Sequence, residues 1–301
     1  ERLKIMILYA QAGGGHKKAA EAIAASAVYD DETTVQLVDA LAEINQLIDR
    51  VICDGYRLMA KHIPQAFGFL YQKANQDSLL ADLMPYLNNK FCHLLLPAIE
   101  DFKPDVIIST YHFATEMVSS LKAQGQYHGA LINVITDYGL HKAWLAEHID
   151  AYITACEEMT APLVAAGVPT ERIYPFGLPI RSSFGEIVDP KQARTILGLL
   201  PQQPLILLMA GSFGVNKVLA IYRQLTALNG DFQLAVITGR NQKLYEKFQT
   251  EIKRTSKPTK LVLFTERVPL YMQAANLLVT KPGGMTITEA LASDLPMVVF
   301  D

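Results

Sequence analysis

Short apolar runs alternate with amphipathic helical stretches along almost all of the 301 residues, and this alternation constrains the fold most tightly. A strand wetted on one face alternates apolar with polar residues, whereas a strand covered on both faces reads as a continuous apolar run. Runs at 4–9, 34–38, 105–109, 131–135, 151–154 and 172–174 are of the second kind, as are those at 205–209, 233–237, 260–264, 277–279 and 297–300. Helical patterns at 16–28, 114–124, 158–166, 216–229 and 242–254 lie between them. Strand–helix–strand repetition predicts an α/β fold of parallel sheets with right-handed crossovers.

The series breaks between Pro179 and Asp189, where a polar stretch precedes a new helix opened by Pro190. The sequence therefore predicts two Rossmann-like domains, 1–182 and 190–301, facing a cleft. The first carries a helical insertion at 40–100. Ligands of such domains bind at the carboxyl ends of the strands. The chain stops at Asp301, directly after an apolar run. A buried strand seldom closes a domain, so the second domain is expected to be truncated, with more chain following.

A formal charge of −3 gives no general attraction for nucleic acid. No apolar run approaches the roughly 18 residues that span a bilayer, and no signal peptide is visible. Cys53, Cys92 and Cys156 show no CxxC spacing and read as reduced thiols of a cytosolic protein.

The stretch from Thr280 through Lys281, Pro282, Gly283, Gly284, Met285, Thr286, Ile287 and Thr288 to Glu289 and Ala290 is the most specific for chemistry. It follows an apolar run and opens a helical pattern over 286–292. Paired glycines let the backbone approach a ligand, and the free N–H groups at a helix start suit a phosphate. Glu289 stands one turn in, too far for phosphate but placed to accept hydrogen bonds from vicinal hydroxyls such as those of a ribose. Diphosphate plus ribose describes a nucleotide. This reading requires the Glu289 carboxylate to be reachable from solvent.

A second glycine turn, Gly211, Ser212, Phe213 and Gly214, follows the run 205–209, and Ser212 can donate to a phosphate oxygen. Thr238 and Gly239 form a third turn, which either adds contacts or caps a helix. Val268 starts a helix between two strands and either holds a base or simply packs.

In the first half, the run 4–9 enters Gly13, Gly14, Gly15 and His16. The loop has neither a GxGxxG register nor the GK[ST] of a Walker loop, so it does not read as an NAD or ATP site. His16 at the helix start should be held neutral, able to donate to or accept from a substrate oxygen. A plain capping histidine fits equally. Asp137, just past the run 131–135, sits where a general base would serve, or caps a turn. Tyr138, His141 and Trp144 follow closely. Trp144, the only tryptophan, either packs in the core or presents its face to a sugar or lipid. Large apolar and aromatic residues interspersed with Arg50, Arg57, Lys61 and Lys73 suit a surface dipping into lipid, or a hairpin packed on its own domain.

Taken together, these motifs resemble the diacylglycerol glycosyltransferases. These are the bacterial processive diacylglycerol β-glucosyltransferases and the plant monogalactosyldiacylglycerol synthases, relatives of the lipid II glucosaminyltransferase. The carriers are the Gly13–His16 loop, Thr136 and Asp137 followed by His141 and Trp144, the string Gly177, Leu178, Pro179, Ile180 and Arg181, the Gly211–Gly214 turn, and the Lys281–Ala290 stretch. The similarity covers essentially the whole chain.

The resemblance implies a GT-B fold whose second domain binds a UDP-sugar, UDP-glucose or UDP-galactose, and whose first binds diacylglycerol. It implies inverting transfer by direct displacement to the lipid hydroxyl, with no cofactor and no active-site metal. On the donor side it implies Gly211, Ser212, Phe213, Gly214, Thr238, Gly239, Val268, Pro282, Gly283, Gly284, Met285, Thr286 and Glu289. On the acceptor side it implies Gly14, Gly15, His16, Tyr138, His141 and Trp144, with Asp137 or His16 acting on the hydroxyl. His16 has the alternative of meeting an anionic lipid headgroup. The expected place is cytoplasmic, peripheral on the cytoplasmic face of the membrane, with no nucleic-acid partner. Family members continue past the position of Asp301 with a sugar-facing loop and a closing helix. Competing readings are transfer to another lipid-linked or small-molecule acceptor, a UDP-sugar 2-epimerase, and a non-catalytic nucleotide-sugar sensor.

Overall fold

The computed structural model describes residues 2–11, 14–27, 32–44, 92–209 and 215–300. The chain divides into two compact units, with the boundary between Ile180 and Arg181.

The first unit is built on six parallel strands: β1 (Leu3–Tyr9), β2 (Thr33–Asp39), β3 (Val106–Ser109), β4 (Ala130–Val134), β5 (Ala151–Ile153) and β6 (Ile173–Tyr174). Their order is β2-β1-β3-β4-β5-β6. The described helices are α1 (Gly15–Ala27), α2 (Ala40–Ile44), α3 (Leu96–Phe102), α4 (His112–Ala123) and α5 (Thr160–Ala165). Met6, Ile7 and Leu8 are consecutive and all fully buried, because both faces of β1 are covered. Ile7 packs on Ala20 and Ala24 of α1, whose small side chains let the helix lie close. Met6 and Leu8 face the other way into the main core with Ile107, Met117, Leu121 and Leu131. Each large aliphatic side chain so buried contributes about 1.5–3 kcal/mol. Of the 40–100 insertion, residues 45–91 lie outside the described residues, and its lipid-facing reading falls there. Its described ends, α2, a 3-10 turn at Cys92–Leu95 and the start of α3, are helical.

Five parallel strands form the second unit: β7 (Leu205–Met209), β8 (Gln233–Ile237), β9 (Thr259–Val262), β10 (Leu277–Thr280) and β11 (Met297–Val299). They are ordered β11-β10-β7-β8-β9. Its helices are α6 (Pro190–Ile196), α7 (Val215–Ala227), α8 (Gln242–Glu251), α9 (Val268–Ala274) and α10 (Gly284–Ala292). Every residue of β8 is buried, including Gln233, whose Nε2 donates to the Leu200 and Gln203 carbonyls. Tyr222 of α7 meets Phe248 of α8 edge-on at 5.1 Å within the core. The segment after Ile180 is tied to this unit, since Phe184 O accepts from Gln273 Nε2 at 3.3 Å and Ser293 Oγ at 3.1 Å.

Strand order places the site in each unit. In the first sheet the chain runs outward from β1 to β2, then returns to β1's other side for β3 to β6. In the second it runs outward from β7 to β9, then returns to β7's other side for β10 and β11. Such reversals open a crevice at the strand ends where ligands bind. The crevices fall between the exits of β1 and β3 and between the exits of β7 and β10.

Candidate active site

The β1 exit passes through Gly14, whose φ of +78° is a left-handed conformation that glycine adopts without strain. Gly15 and His16 then open α1. His16 Nδ1 lies 2.6 Å from the carbonyl oxygen of Thr110 at the β3 exit, and 3.0 Å from Thr136 Oγ1 at the β4 exit. A carbonyl oxygen can only accept, so the neutral ring carries its proton on Nδ1 and keeps a lone pair on Nε2. Burial holds the imidazolium form below the ordinary histidine value, against the opposing pull of the Asp137 charge and the Thr110 carbonyl. A neutral ring with a fixed lone pair is the form a general base requires.

Asp137 follows Thr136, and its Oδ2 accepts from Trp144 Nε1 at 3.2 Å. Trp144 is 1% exposed. Its indole N–H is directed at a carboxylate and its carbonyl is held by the buried Asn133 Nδ2 at 2.9 Å. The core-packing reading of Trp144 is thus joined to a polar task. Three imidazoles surround the indole, with ring centroids 5.4 Å (His112), 6.0 Å (His141) and 6.1 Å (His16) from it. His141 Nδ1 accepts from the Ala143 N–H at 3.2 Å, and burial lowers its pKa, with Asp137 opposing. Tyr138 is 38% exposed, at the rim.

The structure therefore brings His16, Asp137, His141 and Trp144 together at the exits of β1 and β4. It adds Thr110, Tyr111 and His112 from the β3 exit, which sequence reasoning missed. The available signal was positional: Thr110, Tyr111 and His112 directly follow a buried run, as Asp137 does. Burial, with the neighbouring His16 and His141, pushes the His112 pKa down to about 3. The ring stacks at a tilt on Tyr111, 4.8 Å away.

In the second unit Thr280, at the end of β10, donates from Oγ1 to the Met209 carbonyl at the end of β7, 3.1 Å away. This bond fastens the two exits side by side. Gly211, Ser212, Phe213 and Gly214, at the β7 exit, lie outside the described residues. At the β10 exit Pro282 is exposed and Gly283 is the N-cap of α10, with extended backbone and no capping side chain. A Cβ added at Gly283 would meet nothing within 4 Å. The helix begins at Gly284, two residues before the sequence pattern indicates, because periodicity registers only where side chains begin. Met285 is buried and Thr286 half-buried. Half-buried Lys281 beside them has its pKa lowered by burial. Thr238 is buried at the β8 exit, and Gly239 takes φ +64° in the turn. Val268 opens α9 and is 8% exposed.

Glu289 corrects one expectation. It lies on α10 beside these exits, but it is 2% exposed, so its carboxylate is not open to solvent as the ribose reading requires. Residue 289 stands more than a turn into α10, on the stripe that also buries Met285 and Ala290, and packing claims that stripe.

Two parallel-sheet α/β units, each with its glycine-lined exits at a strand-order reversal, define the GT-B class of fold. Among solved structures, MurG of Acinetobacter baumannii is similar with a TM-score of 0.60 at 15% identity, over 99% of this chain and 78% of that one. The UDP-GlcNAc 2-epimerase of Neisseria meningitidis, bound to UDP-GlcNAc, is similar with a TM-score of 0.59 at 14% identity, over 99% and 82%. Residues 16–180 match the family described as monogalactosyldiacylglycerol (MGDG) synthase, and residues 205–300 match the glycosyltransferase family 28 C-terminal domain. A processive diacylglycerol beta-glucosyltransferase of Staphylococcus carnosus (strain TM300) is 29% identical over 302 residues, 99% of this chain and 75% of that protein. The chain belongs to the MGDG synthase family and is a glycosyltransferase. Among the described residues no helix is long and apolar enough to cross a membrane.

Proposed function

We propose that this enzyme transfers a hexose from a UDP-sugar to the free hydroxyl of diacylglycerol, with inversion and by direct displacement. The observation that carries the acceptor half is the 2.6 Å contact from His16 Nδ1 to the Thr110 carbonyl, which leaves Nε2 as a base. His16 Nε2 takes the hydroxyl proton as the oxygen bonds to the anomeric carbon, and the bond from that carbon to the UDP oxygen breaks. Asp137, held by Trp144, is the counter-charge for the imidazolium that forms. This division of labour gives both acidic and basic candidates a role, with His16 as the base.

The donor half rests on the β7 and β10 exits. Developing charge on the leaving UDP would be met by backbone N–H groups at the start of α10, where Gly283 leaves the approach open. No cofactor or active-site metal enters this scheme, in keeping with the family resemblance. A ribose hydroxyl would reach Glu289 only by displacing whatever shields it. The relative's printed name supports diacylglycerol and glucose, and the family description supports galactose, so UDP-glucose and UDP-galactose are the donors to try first. The UDP-GlcNAc-bound structural neighbour supports a UDP-sugar through fold alone. A lipid acceptor in turn supports action at a membrane surface, from the cytoplasmic side where UDP-sugars are made.

The test is mass spectrometry of products from the full-length protein given diacylglycerol micelles and a panel of UDP-sugars. Hexosyl-diacylglycerol is the expected product. Products on another acceptor, or none, would overturn the proposal, and conversion of UDP-GlcNAc without any acceptor would favour the epimerase reading.

A further inference from the structure

Two oxygens meet His16 Nδ1 among the described residues, and the scheme above uses only one of them. The Thr110 carbonyl stands 2.6 Å away and the Thr136 hydroxyl 3.0 Å away. The carbonyl already sets the tautomer and the aim of the ring. Thr136 is 5% exposed, and among the described residues its hydroxyl is bonded to this ring alone. Valine would fill the same space without burying a hydroxyl, whose desolvation is offset here only through the bond to His16.

The second oxygen matters most when the ring changes charge. Nδ1 carries the proton, so Thr136 Oγ1 accepts from it and one N–H is shared between two oxygens. In the neutral ring the shorter bond to Thr110 carries most of this interaction. Once Nε2 takes the acceptor proton the ring is a cation, and Nδ1–H becomes a charge-assisted donor, with hydrogen bonds roughly twice as strong. An extra oxygen at Nδ1 is then worth more to the imidazolium than to the imidazole.

The other groups facing the ring fit this division. Asp137, next in the chain, favours the charged ring through its own charge. His112, from the β3 exit, is held neutral with a pKa of about 3 and adds no opposing charge near neutral pH. The rings of Tyr111 and Trp144, with centroids 5.1 Å and 6.1 Å away, are uncharged neighbours. Consecutive residues of the β4 exit thus meet the ring in two ways, Thr136 by contact and Asp137 by charge.

We propose that Thr136 is a positioning residue for the transfer step, its hydroxyl oxygen holding Nδ1–H as His16 takes up the acceptor proton and so favouring the charged ring over the neutral one. This rests on the reading of His16 as the base and adds to it the contact that strengthens that base.

The experiment assays the full-length enzyme on diacylglycerol micelles across pH, beside UDP affinity by calorimetry. Thr136→Val keeps the shape and removes the oxygen. It should lower kcat about tenfold, the difference between a hydrogen bond to a charged partner and one to a neutral partner, with KM and UDP affinity held within about twofold. Its acid limb in kcat/KM should move to lower pH, because the charged ring has lost a partner. Thr136→Ser returns the oxygen and should recover most of both effects. A role in packing alone would lower the melting temperature and leave the limb in place. A Thr136→Val enzyme as fast as wild type, or one slowed with its limb unmoved, would overturn the proposal. Should Thr136→Val fail to fold, as reported by Trp144 fluorescence, Thr136→Ala against Thr136→Ser makes the same comparison, since both lack the methyl group and only one lacks the oxygen. A His16→Ala enzyme as fast as wild type, or no turnover of diacylglycerol at all, would instead strike the base reading, and this inference with it.

Discussion

His16 and Thr110 grip each other twice: His16 Nδ1 stands 2.6 Å from the Thr110 carbonyl, and the Thr110 hydroxyl donates to the His16 carbonyl at 2.9 Å. The pair joins the start of α1 to the exit of β3 and fixes both the orientation and the tautomer of the ring. The base is thus aimed chiefly by backbone geometry, with the Thr136 hydroxyl 3.0 Å from the same Nδ1.

Removal of the base is the first consequence. His16→Ala should lower kcat by about 10²–10⁴, the usual worth of a positioned general base, while UDP affinity measured by calorimetry stays within twofold. Loss of UDP binding to the same degree would place His16 in the donor site instead.

The pH profile has a definite sign. His16 works when neutral, and burial lowers its pKa, so the acid limb of kcat/KM should lie below the ordinary histidine value of about 6.5. Asp137 raises that pKa, so Asp137→Asn should move the limb to still lower pH while cutting turnover, because the imidazolium loses its counter-charge. A limb that stays in place with turnover unchanged would remove Asp137 from the scheme.

His112 also links stability to pH. Its folded pKa of about 3 lies below the unfolded value near 6.5. Above pH 6.5 both states are neutral and nothing is lost; as pH falls below that value the unfolded state takes up the proton first, and stability declines until the folded pKa is reached. From pH 7 to pH 5 wild type should lose about 2 kcal/mol more than His112→Phe. Urea titrations followed by the fluorescence of Trp144 report on the right unit, since Trp144 packs against His112.

At the donor exits, Gly283→Val separates folding from binding. The backbone there is extended and the space around an added Cβ is open, so the melting temperature should hold within about 2 °C. A branched side chain at the mouth of α10 should nevertheless weaken UDP binding at least tenfold. Unchanged affinity would move the diphosphate elsewhere.

Glu289→Gln tests a residue whose burial and expected role disagree. As a change to a buried residue of the packing stripe of α10, it should change the melting temperature while UDP affinity holds within about twofold. A tenfold loss of UDP affinity with the fold intact would return Glu289 to the ribose.

Much of this architecture is written locally. A continuous apolar run such as 205–209 marks its strand to the residue, because a strand covered on both faces has few polar positions to blur its ends. Glycines 14 and 239 mark strand exits, since the turns there take positive φ. Asp137 and His16 are found from the rule that ligands meet the carboxyl ends of parallel strands. The order of the strands is another matter. Nothing in the spacing of residues 16, 110, 112, 137 and 144 announces that they meet. They do so because β3 returns to the far side of β1, and only that reversal lays His16 against Thr110 and His112 against Trp144. Burial was likewise decided in three dimensions: Glu289 reads as a polar residue near a phosphate loop, and helical phase turned it inward. Local periodicity fixes which segments become strands and which become helices, while the tautomer and charge of each site group depend on neighbours that only the completed sheet supplies.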